Sequence, residues 1–391
     1  MKPLIRVAAD DTPAMLAQLR EAVLLDGLAV LPVPGAEEPA DPIDGLVPDD
    51  VALVVETSGS TDAPKRVMLS GAALRASAGG TSRFLGGMHG QWLLALPTTY
   101  IAGVQVLVRS LVGGTEPAVL PASGFTAAAF AETARSLDPD RPWLTSLVPV
   151  QLARLVDAAE GGDRRVRAAL GSFERILLGG QAAPPGLVER ACELGARVHR
   201  TYGSSETAGG CVYDGMPLPG VDVRIVDDEV QLAGRMLAEG YLDDPERTAR
   251  AFVTDADGRR WYRTGDLGAL GDDGSLRIRG RADDVIISGG VKVALGEVER
   301  AVRTLAGFAD AVVVRVPDDE WGERAAVVAA RRGAVEPSDA LGAVISATDG
   351  AGLGPAARPV RVELVDTLPL LESGKPDRRA LEARMRGGRG E

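Results

Sequence analysis

The 391 residues exceed what one hydrophobic core usually organises, so two or three domains are expected, and 45% hydrophobic with 25% charged residues is the balance of a soluble globular chain. A net charge of -12 excludes a nucleic-acid-binding surface; Cys192 and Cys211, with His89 and His199, make no disulfide framework and leave zinc chemistry almost without ligands. No run approaches the roughly 20 apolar residues of a membrane span, and the first residues lack the apolar core of a signal peptide, so a cytoplasmic protein without membrane insertion is expected.

In chain order, apolar residues at helical spacing predict a helix over 11–25, and Leu28 to Val33 a strand. Pro34 to Asp50, rich in Pro, Asp, Glu and Gly, is expected to be a loop. Val51 to Val55 is a buried strand, a helix begins at Gly71, and the stretch between them is dense in small hydroxyl and glycine residues. Thr57, Ser58, Gly59, Ser60 and Thr61 there suit backbone and hydroxyl donation to phosphate oxygens, and Lys65 adds a point charge. The alternative is a surface turn, because the spacing is not that of the common phosphate loop. Lysine usage favours the phosphate reading: among 43 Lys and Arg residues only Lys2, Lys65, Lys292 and Lys375 are lysines. Those survivors mark places where a compact ammonium is needed.

Further on, Trp92 to Pro97 predicts a strand and Val104 to Val112 an apolar helix, which puts Tyr100 and Gly103 at a strand's carboxyl end, where open α/β sheets bind ligands. An ordinary turn is the alternative. Helices over 128–137, 150–159 and 185–194 alternate with strands over 144–148 and 175–180, a pattern of α/β structure with a largely parallel sheet. In Val198 to Gly210, a Tyr-Gly turn at Tyr202 and Gly203 offers an aromatic face for a base, and the lone carboxylate of Glu206 offers an oxygen ligand for Mg2+. A solvated polar turn is the competing reading. Short alternating runs from Val221 to Arg281 predict antiparallel β structure. Asp266 within it would accept from a ribose diol or serve as a turn residue.

Gly280 to Gly290 reads as a junction, followed by a compact α+β pattern with helices over 296–305 and 338–347 and strands over 311–316, 324–330 and 360–365. Lys375 stands on a Gly/Pro turn before a short helix. The expected fold is thus α/β: a large N-terminal domain over 1–282, with a parallel α/β sheet and an antiparallel β region, and a smaller mobile α+β domain over 283–391.

Taken in order, Thr57 to Lys65, Gly179-Gly180, Tyr202 to Glu206, Tyr262 to Asp266, Gly280 to Gly290 and Ser373 to Lys375 resemble the motifs of the adenylate-forming enzymes over most of the chain. That family includes acyl-CoA and aryl-CoA ligases, carrier-protein adenylation domains and luciferases. Leu96 to Gly103 and Gly209 to Gly215, with Gly209 and Gly210 at the pocket, are most similar to the o-succinylbenzoate-CoA ligases of menaquinone biosynthesis, and the lysine-poor composition resembles actinobacterial versions.

The resemblance implies that ATP and a carboxylic acid give an acyl-adenylate, from which CoA displaces AMP. It assigns the β/γ-phosphates to the loop from Thr57 to Lys65, Mg2+ to Glu206, adenine to Tyr202 and Gly180, and ribose to Asp266 and Arg281. It also assigns the reacting carboxylate and α-phosphate to Lys375, a hinge to Asp283, and the CoA channel to Ser288, Gly289 and Gly290. Asp62 and Arg66 depart from the usual glycines of the loop, Thr99 and Tyr100 from the usual aromatic or histidine residues, and Leu295 from a frequent proline. A stand-alone adenylation protein that loads a carrier protein, or an acyl-CoA synthetase for another aryl or fatty acid, is the enzymatic alternative, and a silent nucleotide-binding relative is the non-enzymatic one. A homodimer is compatible with the sequence.

Overall fold

A computed structural model describes residues 1–35, 43–57, 65–88, 90–121, 124–331, 337–370 and 376–387. The chain divides into two compact units: 1–224 with 231–264 and 270–276, and 225–230 with 265–269 and 277–391. The second unit thereby takes two short β segments and residues 277–282, where the sequence reading starts the second domain at 283.

Two sheets organise the first unit. One has the order Gly240–Tyr241, Lys65–Ser70, Val51–Thr57, Ala29–Val33, Lys2–Ala8, Ile43–Val47. The other has the order Met216–Pro217, Gly209–Tyr213, Val198–Ser204, Phe173–Leu178, Trp143–Leu147, Gln91–Leu94, Ala118–Val119. Its five strands from Val198–Ser204 to Ala118–Val119 run parallel, and the other two are antiparallel additions. Val51 to Val55 is buried without alternation, as a strand covered on both faces must be.

The helix Gly71–Phe84 packs against both sheets, and Ile101–Gly113 packs against the second. The latter is buried from Gly103 through Leu111, as expected of a helix apolar nearly all round. On the far face of the second sheet, Phe130, Leu152, Leu155, Leu170 and Phe173 centre a separate core.

Several segments differ from their predicted state. Lys65–Ser70 is a strand rather than the tail of a loop, because Val67 and Leu69 alternate inward and pair antiparallel with Val51–Thr57. The predicted helix therefore follows the strand Lys65–Ser70 directly, at Gly71, and residues 58–64 lie outside the described residues. Ile43–Val47 is a strand inside the predicted loop, held against Lys2–Ala8. Tyr202 and Gly203 belong to the strand Val198–Ser204, not to a turn, since Gly209–Tyr213 pairs along it. The helices Arg164–Ser172 and Pro245–Ala251 carry no long apolar stripe; each instead has an aspartate cap, from Asp163 and Asp244.

A third, antiparallel sheet has the order Val221–Val226, Glu229–Gly234, Arg260–Leu270, Phe252–Thr254, with Leu276–Arg281 beside Arg260–Leu270. The second unit continues with Val291–Ala294, Val285–Ser288, Gly322–Ala330 and Val312–Asp318 in sheet order, and Arg361–Val365 runs parallel to Gly322–Ala330. Strand alternation gives that sheet two cores. Val313, Ala325 and Val327 face Val298, Val302 and Val344, while Val312, Val314 and Val328 face Leu381 and Met385.

Candidate functional site

The strand pairing carries Lys65 opposite Thr57, so the described ends of the loop stand side by side; Ser58, Gly59, Ser60 and Thr61 lie outside the described residues. The Lys65 ammonium sits 5.9 Å from the centre of the Tyr241 ring, and the Arg247 guanidinium also lies 5.9 Å from it. Tyr241 reaches this place because Gly240 and Tyr241 pair with Met68 and Val67 at the sheet edge.

The same phenol donates to Glu206 Oε1 at 2.9 Å. Tyr241 is 5% and Glu206 7% exposed, so the bond is made away from water. Burial first, and then the charge of Glu206, raise the phenol's pKa above its ordinary value, which keeps its proton available for donation.

Glu206 is itself held by local geometry. It occupies the single turn Ser205–Thr207, which ends at Ala208 in the left-handed region at φ 50. Thr207 Oγ1 accepts from the Ser204 amide at 2.8 Å and donates to the Gly209 carbonyl at 2.7 Å, and the Ala238 amide donates to the Glu206 carbonyl at 2.8 Å. Sequence reading singled out Lys65 and Glu206 separately, and one aromatic side chain it did not name links them.

Phe173–Leu178 runs into Gly179 and Gly180, the latter at φ 87. A Cβ on Gly179 would lie 2.4 Å from Thr201 Oγ1, and one on Gly203 would lie 2.2 Å from the Gly209 carbonyl oxygen. Close approach of neighbouring strands therefore requires Gly203 without any ligand, while at Gly179 the obstacle is the Thr201 hydroxyl. Tyr202, next to Gly203 at the irregular step of that pairing, is half-buried.

Tyr100 immediately precedes the helix Ile101–Gly113, and Gly103 packs so tightly on the turn before it that a Cβ would lie 2.2 Å from the Pro97 carbonyl oxygen. Gly209, at φ 96, leaves room for Gln105, whose Cγ would be 3.3 Å from a Cβ there. Gly210 is similarly confined by Tyr213 and Thr201.

One turn along the helix, the 8%-exposed Arg109 points Nη1 to Ser146 Oγ and Nη2 to the Tyr213 hydroxyl, each at 3.4 Å, and lies over Trp92 at 5.1 Å. Tyr213 is fully buried and shares a 2.9 Å hydrogen bond with Thr81. Among the described residues no carboxylate pairs with Arg109, and burial lowers its pKa. The sequence reading missed Gln105 and Arg109. Their signal is visible in retrospect: they are the long polar residues inside Val104-Gln-Val-Leu-Val-Arg-Ser-Leu-Val112.

In the second unit Arg281 bridges two of the expected positions, with Nη1 at 3.1 Å from Asp266 Oδ1 and Nε at 3.1 Å from Asp283 Oδ1. Burial works against its charge, but Asp266 and Asp283 outweigh burial and raise its pKa. Arg315 donates to the Asp283 carbonyl, fixing the turn Ala282–Asp284 from its other side. Ser288, Gly289 and Gly290 form the turn between Val285–Ser288 and Val291–Ala294, with Gly289 at φ 56 against Trp321. Lys375 lies outside the described residues.

Comparison with known proteins adds an independent line. Residues 5–242 match the AMP-binding enzyme family, and residues 297–375 match the AMP-binding enzyme C-terminal domain. A probable 2-succinylbenzoate–CoA ligase of Mycobacterium tuberculosis is 40% identical over 349 residues, which cover 87% of this chain and 86% of that protein. The 2-succinylbenzoate–CoA ligase of Escherichia coli is 32% identical over 295 residues, 72% of this chain and 59% of that one. Among solved structures, o-succinylbenzoate CoA synthetase from Bacillus subtilis in complex with the acyl-adenylate intermediate OSB-AMP aligns with a TM-score of 0.73 at 26% identity, covering 90% of this chain and 74% of that one.

Proposed function

The chain belongs to the AMP-binding enzyme family, and from that premise we propose that it is an ATP-dependent acid–CoA ligase whose acid is 2-succinylbenzoate. A carboxylate is a poor electrophile until one of its oxygens becomes part of a leaving group. Attack of the acid oxygen on the α-phosphorus of ATP forms the acyl-adenylate and releases pyrophosphate. The CoA thiolate then adds to the acyl carbon and AMP departs, leaving the thioester. The protein positions these groups and stabilises the charge that develops.

In this reading Thr57 to Thr61 and Lys65 receive the β- and γ-phosphates, Tyr202 and Gly180 flank adenine, and Asp266 with Arg281 takes the ribose. Glu206 would hold Mg2+, which neutralises phosphate charge when bound. Its one buried carboxylate suits an ion that takes one or two protein carboxylates and fills its shell with phosphate oxygens and water. Lys375 serves the first half-reaction, Ser288 to Gly290 the second, and residues 283–391 turn about Asp283 between them. A cytoplasmic location follows from the same reading.

The observation that carries the choice of acid is Arg109. A buried guanidinium without a carboxylate partner among the described residues invites an anionic ligand. 2-Succinylbenzoate has two carboxylates, so one remains ionised while the other is activated; a simple fatty acid has none to spare. Pyrophosphate release measured over a panel of acids, with and without CoA, tests this. The expected result is the highest kcat/KM for 2-succinylbenzoate with CoA consumed. Preference for medium-chain fatty acids, or adenylate formation that no CoA consumes, overturns it.

A further inference from the structure

The helix Ile101–Gly113 buries a primary amide completely. Gln105 is 0% exposed, and neither its Oε1 nor its Nε2 has a hydrogen-bond partner among the described residues. An unpaired amide in that position opposes folding, and a leucine of similar volume would not. A second orphan lies close by. Gln105 packs on Gly209, Gly209 pairs across the ladder with Ser204, and the buried Ser204 Oγ also lacks a partner among the described residues. Gln105 and Ser204 thus both neighbour one glycine, whose missing side chain makes room for the glutamine between helix and strand. Ser204 follows Tyr202 by two residues and precedes Glu206 by two, so this place adjoins the segment that carries the nucleotide candidates.

We infer that Gln105 and Ser204 are specificity-determining residues that hydrogen-bond a neutral, non-reacting oxygen of the acid, of the keto or amide carbonyl class. The inference rests on the proposed acid–CoA ligase activity. It is separate from the Arg109 argument, because an N–H and an O–H donate to a carbonyl without needing charge on it. For 2-succinylbenzoate the oxygen is the ketone between the ring and the reacting carboxylate arm.

The test is a cycle that deletes the donor on the protein and the acceptor on the ligand. Wild type, Gln105→Leu and Ser204→Ala are assayed for kcat/KM with the keto acid and with its methylene analogue. Wild type is expected to prefer the keto acid by about 10- to 100-fold. Gln105→Leu should lose most of that preference through KM, with KM for ATP unchanged and Tm equal to or above wild type. Ser204→Ala should lose a smaller part and keeps the inference testable even when Gln105→Leu folds poorly.

Retention of the full preference by both variants overturns the inference, as does a lower Tm for Gln105→Leu with unchanged kinetics, which would make the amide structural. When wild type prefers another acid, the choice of 2-succinylbenzoate fails by itself, and the variants are assayed on that acid and its oxygen-deleted analogue. A preferred acid with no neutral oxygen outside its reacting carboxylate overturns this inference too.

Discussion

Replacing Tyr241 by phenylalanine isolates one hydrogen bond at the centre of the proposed nucleotide site. The phenol donates to Glu206 Oε1 at 2.9 Å, and both residues are buried, so water cannot replace the lost donor. A hydrogen bond to a charged group contributes about 1.5–3 kcal/mol, and loss of a partner that orients a metal ligand typically costs about 10- to 100-fold in metal affinity or activity. The ring survives in phenylalanine. Lys65, 5.9 Å from its centre, sits at the edge of the cation–π range of about 6 Å and keeps that weak contact.

Tyr241→Phe should therefore raise the Mg2+ concentration for half-maximal pyrophosphate exchange by about 10-fold or more. KM for the acid should be unchanged, and Tm should fall by a few degrees as Oε1 loses its donor. Tyr241→Leu removes ring and hydroxyl together and should raise KM for ATP as well. Stabilisation of the protein by MgATP against heating gives a readout that does not pass through turnover. An unchanged Mg2+ requirement in Tyr241→Phe, with unchanged Tm, would refute the claim that this phenol holds Glu206.

Lys375→Ala should lower adenylate formation by at least about 100-fold while sparing thioester formation from supplied acyl-adenylate; equal loss in both half-reactions removes the assigned role. Asp283→Pro fixes φ near −65° and deletes the carboxylate that Arg281 holds, so it should slow the CoA-dependent step far more than adenylation when the two are timed separately. Arg109→Leu should raise KM for a dicarboxylic acid by roughly 10- to 100-fold with at most a small fall in Tm, because this buried charge has no carboxylate partner among the described residues and only two 3.4 Å bonds to neutral hydroxyls; a clearly lower Tm with unchanged KM makes it structural. Gly203→Ala places a methyl 2.2 Å from the Gly209 oxygen and should cost about 1–3 kcal/mol, read as a lower Tm.

The alternation of helices and strands was legible because each element is long enough to show its period. Thr12–Leu24, Ile101–Gly113 and Pro149–Glu160 fall within a few residues of the predicted helices, and the valines of Val312–Asp318 announce a strand covered on both faces. Failures cluster where tertiary partners, not local pattern, decide. Lys65–Ser70 begins with two charged residues and follows a Gly/Ser-rich segment, so nothing local marks it as a strand until Val51–Thr57 pairs with it. Ile43–Val47 contains Asp44 and Gly45 and is a strand through its pairing with Lys2–Ala8.

Site residues divide along the same line. Glu206 and Asp266 stand out in sequence because each is a lone acid among small hydroxyl or glycine residues, which is a local signal. Tyr241 carries no such signal. Its importance comes from an edge pairing that brings positions 65, 206 and 241 together, and separation along the chain hides it. Gly179 and Gly203 carry a weaker signal, since packing constrains both positions whether or not a nucleotide binds. Gln105 and Arg109 are the instructive case. An apolar run interrupted twice, four residues apart, puts both polar side chains on one face of a helix. Three polar atoms on that face, Gln105 Oε1 and Nε2 and Arg109 Nε, are buried and unpaired among the described residues, a cost to folding that the Arg109 bonds to Ser146 and Tyr213 do not remove. Leucine would serve the helix better at position 105, and the gain that offsets the buried amide is to be sought in the bound acid.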